Sequence, residues 1–140
     1  MRLYLDMRYR LTSFNNGDIA AVFSELKHRG WSSKSTLHKA LRELETLGFI
    51  AQTRQGGIAS MSRICSLYRF TDHPCEEKKG KGIGRYAATY DYKKFESIRE
   101  AREAVRVNEQ GRRDGLVNKK KMKAHKRDLT GSEIGLIYVQ

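Results

Sequence analysis

A run of apolar residues between residues 37 and 47 constrains the fold more than any other feature of this chain. Its members are Leu37, Ala40, Leu41, Leu44 and Leu47. Because they recur every three or four residues, they fall on one face of a helix. The pair Ser32-Ser33 offers a hydroxyl cap at the start of this helix, and Gly48 is typical of a helix end. Residues 49–54 follow at once and favour a strand, so the sequence predicts a helix that leads directly into a strand.

The strand at 49–54 has a predicted partner. Gly56-Gly57 turns the chain, and residues 63–71 are apolar and aromatic enough to return beside the first strand. The two segments therefore predict a β-hairpin with a flexible, glycine-containing tip.

Two shorter helices are predicted before residue 31. Apolar residues between Leu3 and Leu11 indicate the first. We expect Asn16 to cap the second helix, with Asp18 in its positively polarised first turn and Gly30 at its end. The apolar positions of this second helix are Ile19, Val22, Phe23 and Leu26.

The order of helix, helix, short turn, helix and hairpin is that of a winged helix-turn-helix domain. Beyond this order, several short segments are distinctive: Asn15-Asn16-Gly17-Asp18-Ile19, Arg29-Gly30-Trp31, Thr36-Leu37, Leu41-Arg42-Glu43-Leu44, Gly48-Phe49-Ile50, Thr53-Arg54-Gln55-Gly56-Gly57 and Ser66-Leu67-Tyr68. In these segments the sequence resembles a family of small winged helix-turn-helix DNA-binding proteins carried by phages, plasmids and integrated elements of proteobacteria. The resemblance covers about half of the chain and implies an α+β fold of three helices plus a β-hairpin wing. It implies a role as a replication protein or a repressor.

Beyond this domain the sequence changes in character. The chain has a single proline, Pro74, and residues 76–84 are charged and rich in glycine, as expected of a connector. We therefore predict a winged helix-turn-helix domain at 1–72 and a linker or docking segment at 73–92. A charged helix at 93–108 and a flexible basic tail at 109–140 complete a partly helical C-terminal extension.

The charge of the chain indicates a polyanionic partner. Twenty-eight lysines and arginines against 16 acidic residues give a formal net charge of +12. Each cation that meets a phosphate releases counterions, so double-stranded DNA is the first candidate. Candidate DNA-binding residues are Ser33, Lys34, Ser35, His38, Lys39 and Arg42 on the third helix, Arg54, Gln55 and Arg63 on the hairpin, and Lys119, Lys120, Lys121 and Lys123 in the tail.

Several other classes of protein are not indicated. The chain has no apolar run long enough to span a membrane and no secretory signal, which favours a bacterial cytoplasmic protein. Cys65 and Cys75 have no zinc-finger or disulfide-framework spacing. The sequence has no Walker loop, no Gly-x-Ser-x-Gly and no His-Glu-x-x-His. We therefore expect a protein that is not an enzyme and that needs no metal and no cofactor.

Two functional alternatives remain open. The chain is interpreted first as a DNA-binding protein of a mobile element, and second as an interaction factor whose basic surface occupies a host protein or nucleoprotein, for example a defence complex. The helix at 93–108 could dock on the domain, pair with a partner helix, as in a homodimer, or stay solvated.

Overall fold

The computed structural model describes the backbone of residues 2–59 and 61–137 and the side chains of residues 2–58 and 61–123. Residues 1–101 form one unit, with an α+β fold, and the chain from residue 102 onward forms a second. The elements are α1 (Arg2–Arg8), β1 (Ile19–Ala20), α2 (Phe23–Leu26), α3 (Lys34–Thr46), β2 (Ile50–Arg54), β3 (Gly57–Ala59), β4 (Ser62–Ile64), β5 (Leu67–Phe70) and α4 (Ile98–Ile137).

Helix α3 forms as the sequence predicted. Leu37, Leu41 and Leu44 are buried in the main core, together with side chains from α1, α2 and the sheet. The helix ends at Thr46, and Gly48, two residues later, has a φ of +77° in the left-handed region. There the amide of Phe49 donates to the carbonyl of Leu44 at 3.0 Å, which closes the last turn.

The sheet places β5 in the centre. β1 and β2 pair with β5 on either side, both antiparallel, which gives the order β1-β5-β2. β3 and β4 form a separate antiparallel ribbon between β2 and β5 in the chain. We call residues 50–70, from β2 to β5, the hairpin.

The predicted second helix begins later than expected. Ile19 and Ala20 pair with Tyr68 and Leu67 of β5, so this segment is strand rather than helix. α2 starts only at Phe23, and a 3-10 turn at Lys27–Arg29 continues it. The turn ends at Gly30 with a φ of +85°, where the sequence predicted the helix to end.

The prediction that Asn16 caps a helix is wrong. Its side chain is 4% exposed and joins the strand β5 to the chain that follows it. The Nδ2 group donates to the carbonyls of Phe70, His73 and Pro74 at 3.0, 2.9 and 3.1 Å, and Oδ1 accepts from the Phe70 amide at 2.7 Å. Asn16 is therefore a buried structural bridge, because amide groups can both donate and accept.

The interpretation of residues 76–84 as a flexible connector is also wrong. Cys75 and Ile83 are buried with Leu67 of β5, on the face of the sheet opposite to Tyr68 and Phe70. Backbone amides and carbonyls join Cys75 to Tyr86 at 2.8 and 2.9 Å. The segment 75–86 therefore covers the second face of the sheet, and the predicted domain boundary at 72 does not separate it from the sheet.

Asp18 fixes this covering segment electrostatically. Its carboxylate lies 3.1 Å from Nζ of Lys78 and 2.5 Å from Nζ of Lys81. Burial raises the pKa of Asp18, but the hydrogen bonds from the two lysines outweigh it, so the pKa lies below its ordinary value. The predicted place of Asp18 in a helical first turn is thus replaced by contacts with a distant part of the chain.

Helix α4 differs from the predicted extension at both ends. Residues 91–94 form a 3-10 turn, and α4 starts at Ile98, where Ser97 Oγ accepts from the Glu100 amide at 3.2 Å. This contact resembles a capping box, since Ser97 and Glu100 are three residues apart. The helix then continues to Ile137, past residue 108, where the sequence predicted a tail. Residues 138–140 of that tail lie outside the described residues.

Candidate nucleic-acid interface

The exposed side of α3 presents the side chains that the sequence assigned to DNA. Lys34, Ser35, His38 and Lys39 are exposed, because the leucines of this helix face the core. Ser33 precedes the helix in an extended conformation, and its Oγ lies 2.7 Å from Ser35 Oγ. Its hydroxyl makes no capping bond to α3, contrary to the predicted cap.

Charge is distributed unevenly along α3. Lys34, Lys39 and Arg42 lie in its first nine residues, where there is no acidic residue, whereas Glu43 and Glu45 follow in the last four. Lys39 Nζ lies 3.9 Å from the Glu43 carboxylate, an exposed pair that contributes little to stability. The N-terminal half of α3 is therefore the positively charged half.

Arg42 is less accessible than its place on the helix suggested. It is half-buried, and its Nε atom is buried without a hydrogen-bond partner in the described part of the chain. Glu45 lies close enough to Arg42 for the two charges to interact. Burial raises the pKa of the Glu45 carboxyl, and the positive charge of Arg42 offsets part of that rise. Arg42 therefore interacts with Glu45 of the same helix, and only part of its side chain is available at the exposed surface of α3.

The three hairpin candidates occupy different environments. Gln55 and Arg63 are exposed, but Arg54 is half-buried and donates from Nη2 to the carbonyl of Cys65 at 3.2 Å. Its Nε atom is buried and has no partner among the described residues. Arg54 therefore links the two sides of the hairpin at the end of β2, while Arg63 is the arginine nearer the tip.

Two apolar side chains at the hairpin tip were not singled out from the sequence. Ile58 lies opposite Arg63 in the β3-β4 ribbon and is 79% exposed. Met61 is 99% exposed, and its φ of +64° is a conformation that glycine or asparagine adopts more easily. Met61 lies in the short connection between β3 and β4, at the end of the ribbon. No periodicity in the sequence indicates this position.

A pocket of about 230 Å³ lies between α3 and the base of the hairpin. Phe23, Leu37 and Tyr68 contribute apolar surface, and His38 and Ser66 contribute polar groups. Burial raises the pKa of the Tyr68 hydroxyl, so it stays protonated and can donate a hydrogen bond. Of the candidate DNA-binding residues, His38 lines this pocket, and Arg54, Gln55 and Arg63 do not.

The remaining candidates, Lys119, Lys120, Lys121 and Lys123, lie on α4 in the second unit, and all four are exposed. Trp31 is buried and donates from Nε1 to Asp6 at 2.8 Å, so it is a packing residue.

The described residues contain no group of three histidine, cysteine or acidic side chains that could hold a metal ion. In the same part of the chain, no helix is long and apolar enough to cross a membrane. No family model, curated protein or solved structure matches this chain. We therefore infer a function from the arrangement of the chain's own residues.

Proposed function

We propose that the unit of residues 1–101 contains a winged helix-turn-helix that binds double-stranded DNA, with α3 as the recognition helix and the hairpin as the wing. The order α1, β1, α2, α3, β2 and β5 supports this proposal, as does a sheet in which β1 pairs beside β5. In such domains the N-terminal part of the recognition helix contacts base edges in the major groove.

The observation that carries the proposal is the division of α3 into two faces. Leu37, Leu41 and Leu44 attach the helix to the core, and the basic N-terminal half is left exposed on the other side. Lys39 can reach phosphate or guanine, and Ser35 and His38 can reach either kind of group. A rigid helix held by its apolar face presents these side chains in one fixed orientation.

The hairpin supplies the second part of the proposed interface. Arg63 and Gln55 are exposed near its tip. Arginine side chains favour a narrow minor groove and the phosphates beside it, because the negative potential is strongest there. The wing would therefore contact the backbone or minor groove next to the site read by α3.

In the cell we propose a noncatalytic protein of a mobile element that acts in the bacterial cytoplasm, in replication or in transcriptional regulation. It would need no metal and no cofactor for this role. Occupation of a host protein by the same basic surface is the competing explanation, and a homodimer is compatible with either.

Binding to duplex DNA of random sequence across a salt series tests the proposal. We expect the affinity to fall on the order of 10³-fold or more between about 50 and 200 mM salt, because the contacts displace counterions from phosphates. Fluorescence anisotropy with a labelled duplex measures this directly. A flat salt response, or no binding at the lowest salt, would contradict the proposal.

Matched variants in the same series locate the interface. Lys34→Gln with Lys39→Gln removes two charges from α3, and Lys79→Gln with Lys93→Gln removes two exposed charges elsewhere in the unit. We expect the α3 variant to lose about tenfold in affinity and to lower the salt slope by about two, since each phosphate contact contributes about 0.9. Equal effects of both variants would show that only net charge matters, and α3 would not be the recognition helix.

A further inference from the structure

The described part of α4 carries a second concentration of positive charge. Every side chain from residue 110 to residue 123 is exposed. Between residues 102 and 123 the helix has eight basic residues: Arg102, Arg106, Arg112, Arg113, Lys119, Lys120, Lys121 and Lys123. Arg99 precedes them on the same helix.

Most of these cations share one side of the helix. Arg102, Arg106, Arg113 and Lys120 are separated by four, seven and seven residues, steps that return close to the same side of an α-helix. Arg112, Lys119 and Lys123 form a neighbouring stripe by the same rule. We call these seven residues the basic face of α4.

The acidic residues of α4 lie mainly elsewhere. Glu100, Glu103 and Asp114 fall on the opposite side of the helix, and Glu109 alone lies within the basic face. Glu103 holds Arg106 through two hydrogen bonds of 2.9 and 2.7 Å, and Glu109 lies 3.8 Å from Arg113. The Glu103–Arg106 pair is exposed and contributes little free energy, so a phosphate could readily replace Glu103 at Arg106.

Several features of its sequence destabilise α4 when no partner is bound. Gly111 and Gly115 each destabilise a helix interior by about 1 kcal/mol relative to alanine. Like charges four residues apart, such as Arg102 with Arg106 and Lys119 with Lys123, add repulsion. None of the described side chains beyond residue 109 is buried, so packing offsets these terms only weakly.

We propose that the basic face of α4 binds the phosphates of a nucleic-acid duplex, and that the bound phosphates stabilise this helix. The distance from Arg102 to Lys123 along the helix is about 32 Å at 1.5 Å per residue, close to one turn of duplex at about 34 Å. Regularly spaced phosphates can therefore meet both stripes along their length. This inference deepens the proposed function, and it adds a surface that is separate from α3 and the hairpin.

A fourfold variant of the full chain tests the surface. Arg102, Arg106, Arg113 and Lys120, each changed to Gln, keep a helix-favouring side chain and remove four charges from one stripe. Lys79, Arg85, Lys93 and Lys94, each changed to Gln, remove the same charge from exposed positions of the first unit. We expect the first variant to lower the salt slope of duplex binding by three to four, as about 0.9 per contact predicts. We expect a change below one from the second, and equal slopes in the two variants would overturn the inference.

Circular dichroism at 222 nm then tests the coupling to helix formation. The wild-type chain should gain helical signal when duplex is added at low salt, and the fourfold α4 variant should gain much less. Poly-glutamate is the control polyanion, and an equal gain with it would contradict a duplex as the occupant. No gain in the wild type would contradict the stabilisation by phosphates.

The same measurements separate this inference from the proposed function. If the α3 variant loses affinity while the α4 variant keeps the full salt slope, α3 binds DNA and the basic face of α4 does not. If the wild type binds no duplex at all, the proposed function fails as well.

Discussion

Replacing Asn16 with alanine is expected to lower the free energy of unfolding by about 3–5 kcal/mol, because one buried side chain satisfies several backbone groups. Asn16 donates to three carbonyls and accepts from the Phe70 amide. The shortened side chain leaves these groups without a partner and out of contact with water. Chemical denaturation monitored by tryptophan fluorescence measures the loss, since Trp31 is buried in the same core.

The same substitution at an exposed asparagine is the control. Asn118→Ala lies on the exposed part of α4 and is expected to change the free energy by less than about 0.5 kcal/mol. Asn16→Asp is a second test, because a carboxylate cannot donate to the three carbonyls. A loss below about 1 kcal/mol for both Asn16 variants would contradict the bridge described here.

Gly17→Ala is expected to destabilise the protein by about 2–4 kcal/mol through strain and overlap. Gly17 has a φ of +91°, and an added Cβ would overlap the Cys75 sulfur and lie 3.2 Å from Cγ2 of Ile83. The close approach exists only because the segment 75–86 packs on the sheet. Denaturation of the variant therefore tests that packing.

Gly82→Ala separates the two causes. Gly82 also has a positive φ, +65°, but no heavy atom lies within 4 Å of its added Cβ. Its substitution should therefore cost only the backbone strain, about 1 kcal/mol. Cys75→Ala in the Gly17→Ala background should relieve part of the overlap. The double variant should therefore lose less free energy of unfolding than the two single variants lose together. Equal losses at Gly17 and Gly82 would argue against a packed covering segment.

The sequence predicted α3 well because its signal is local. Three buried leucines recur at helical spacing, and Gly48 ends the helix with a positive φ. The hairpin was predicted in part, because β2 pairs with a strand that follows Gly56-Gly57, as expected. The predicted turn at these glycines is wrong, since Gly57 pairs with Ile64 in the β3-β4 ribbon and the chain turns after Ala59. Signals from residues that are close together in the chain therefore sufficed for α3 and for the existence of the hairpin, but not for the position of its tip.

The errors near residue 16 arise from interactions that are distant in sequence. Ile19, Val22, Phe23 and Leu26 have helical spacing, but Ile19 pairs with Tyr68 across the sheet. A strand of two residues is too short to show alternation. The hydrogen bonds of Asn16 reach residues more than 50 positions away, and no local pattern reveals them.

The segment 75–86 was predicted to be a connector because few of its residues are buried. Only Cys75 and Ile83 anchor it in the second core cluster, and charged residues and glycines surround them. Composition therefore resembled a linker. The start of α4, in contrast, could have been found, since Ser97 and Glu100 have the spacing of a capping box.

The candidate site was predicted only in part, because some of its features depend on contacts that no local pattern indicates. Exposure of Lys34, Ser35, His38 and Lys39 follows from the leucine stripe of α3. The half-buried states of Arg42 and Arg54 do not follow from it, because they depend on Glu45 and on the Cys65 carbonyl. The seven residues of the basic face of α4 needed the helix to continue past residue 108 before their shared side could be recognised.

Amide chemical-shift mapping of the full chain during titration with a DNA duplex tests the proposed interface most directly. We expect the largest shifts at the N-terminal half of α3 and in β3 and β4. We expect smaller shifts in residues 75–86, which cover the face of the sheet opposite to the main core. Shifts concentrated in residues 75–86, or absent from α3 and the hairpin while the duplex binds, would contradict the assignment of α3 and the hairpin to DNA.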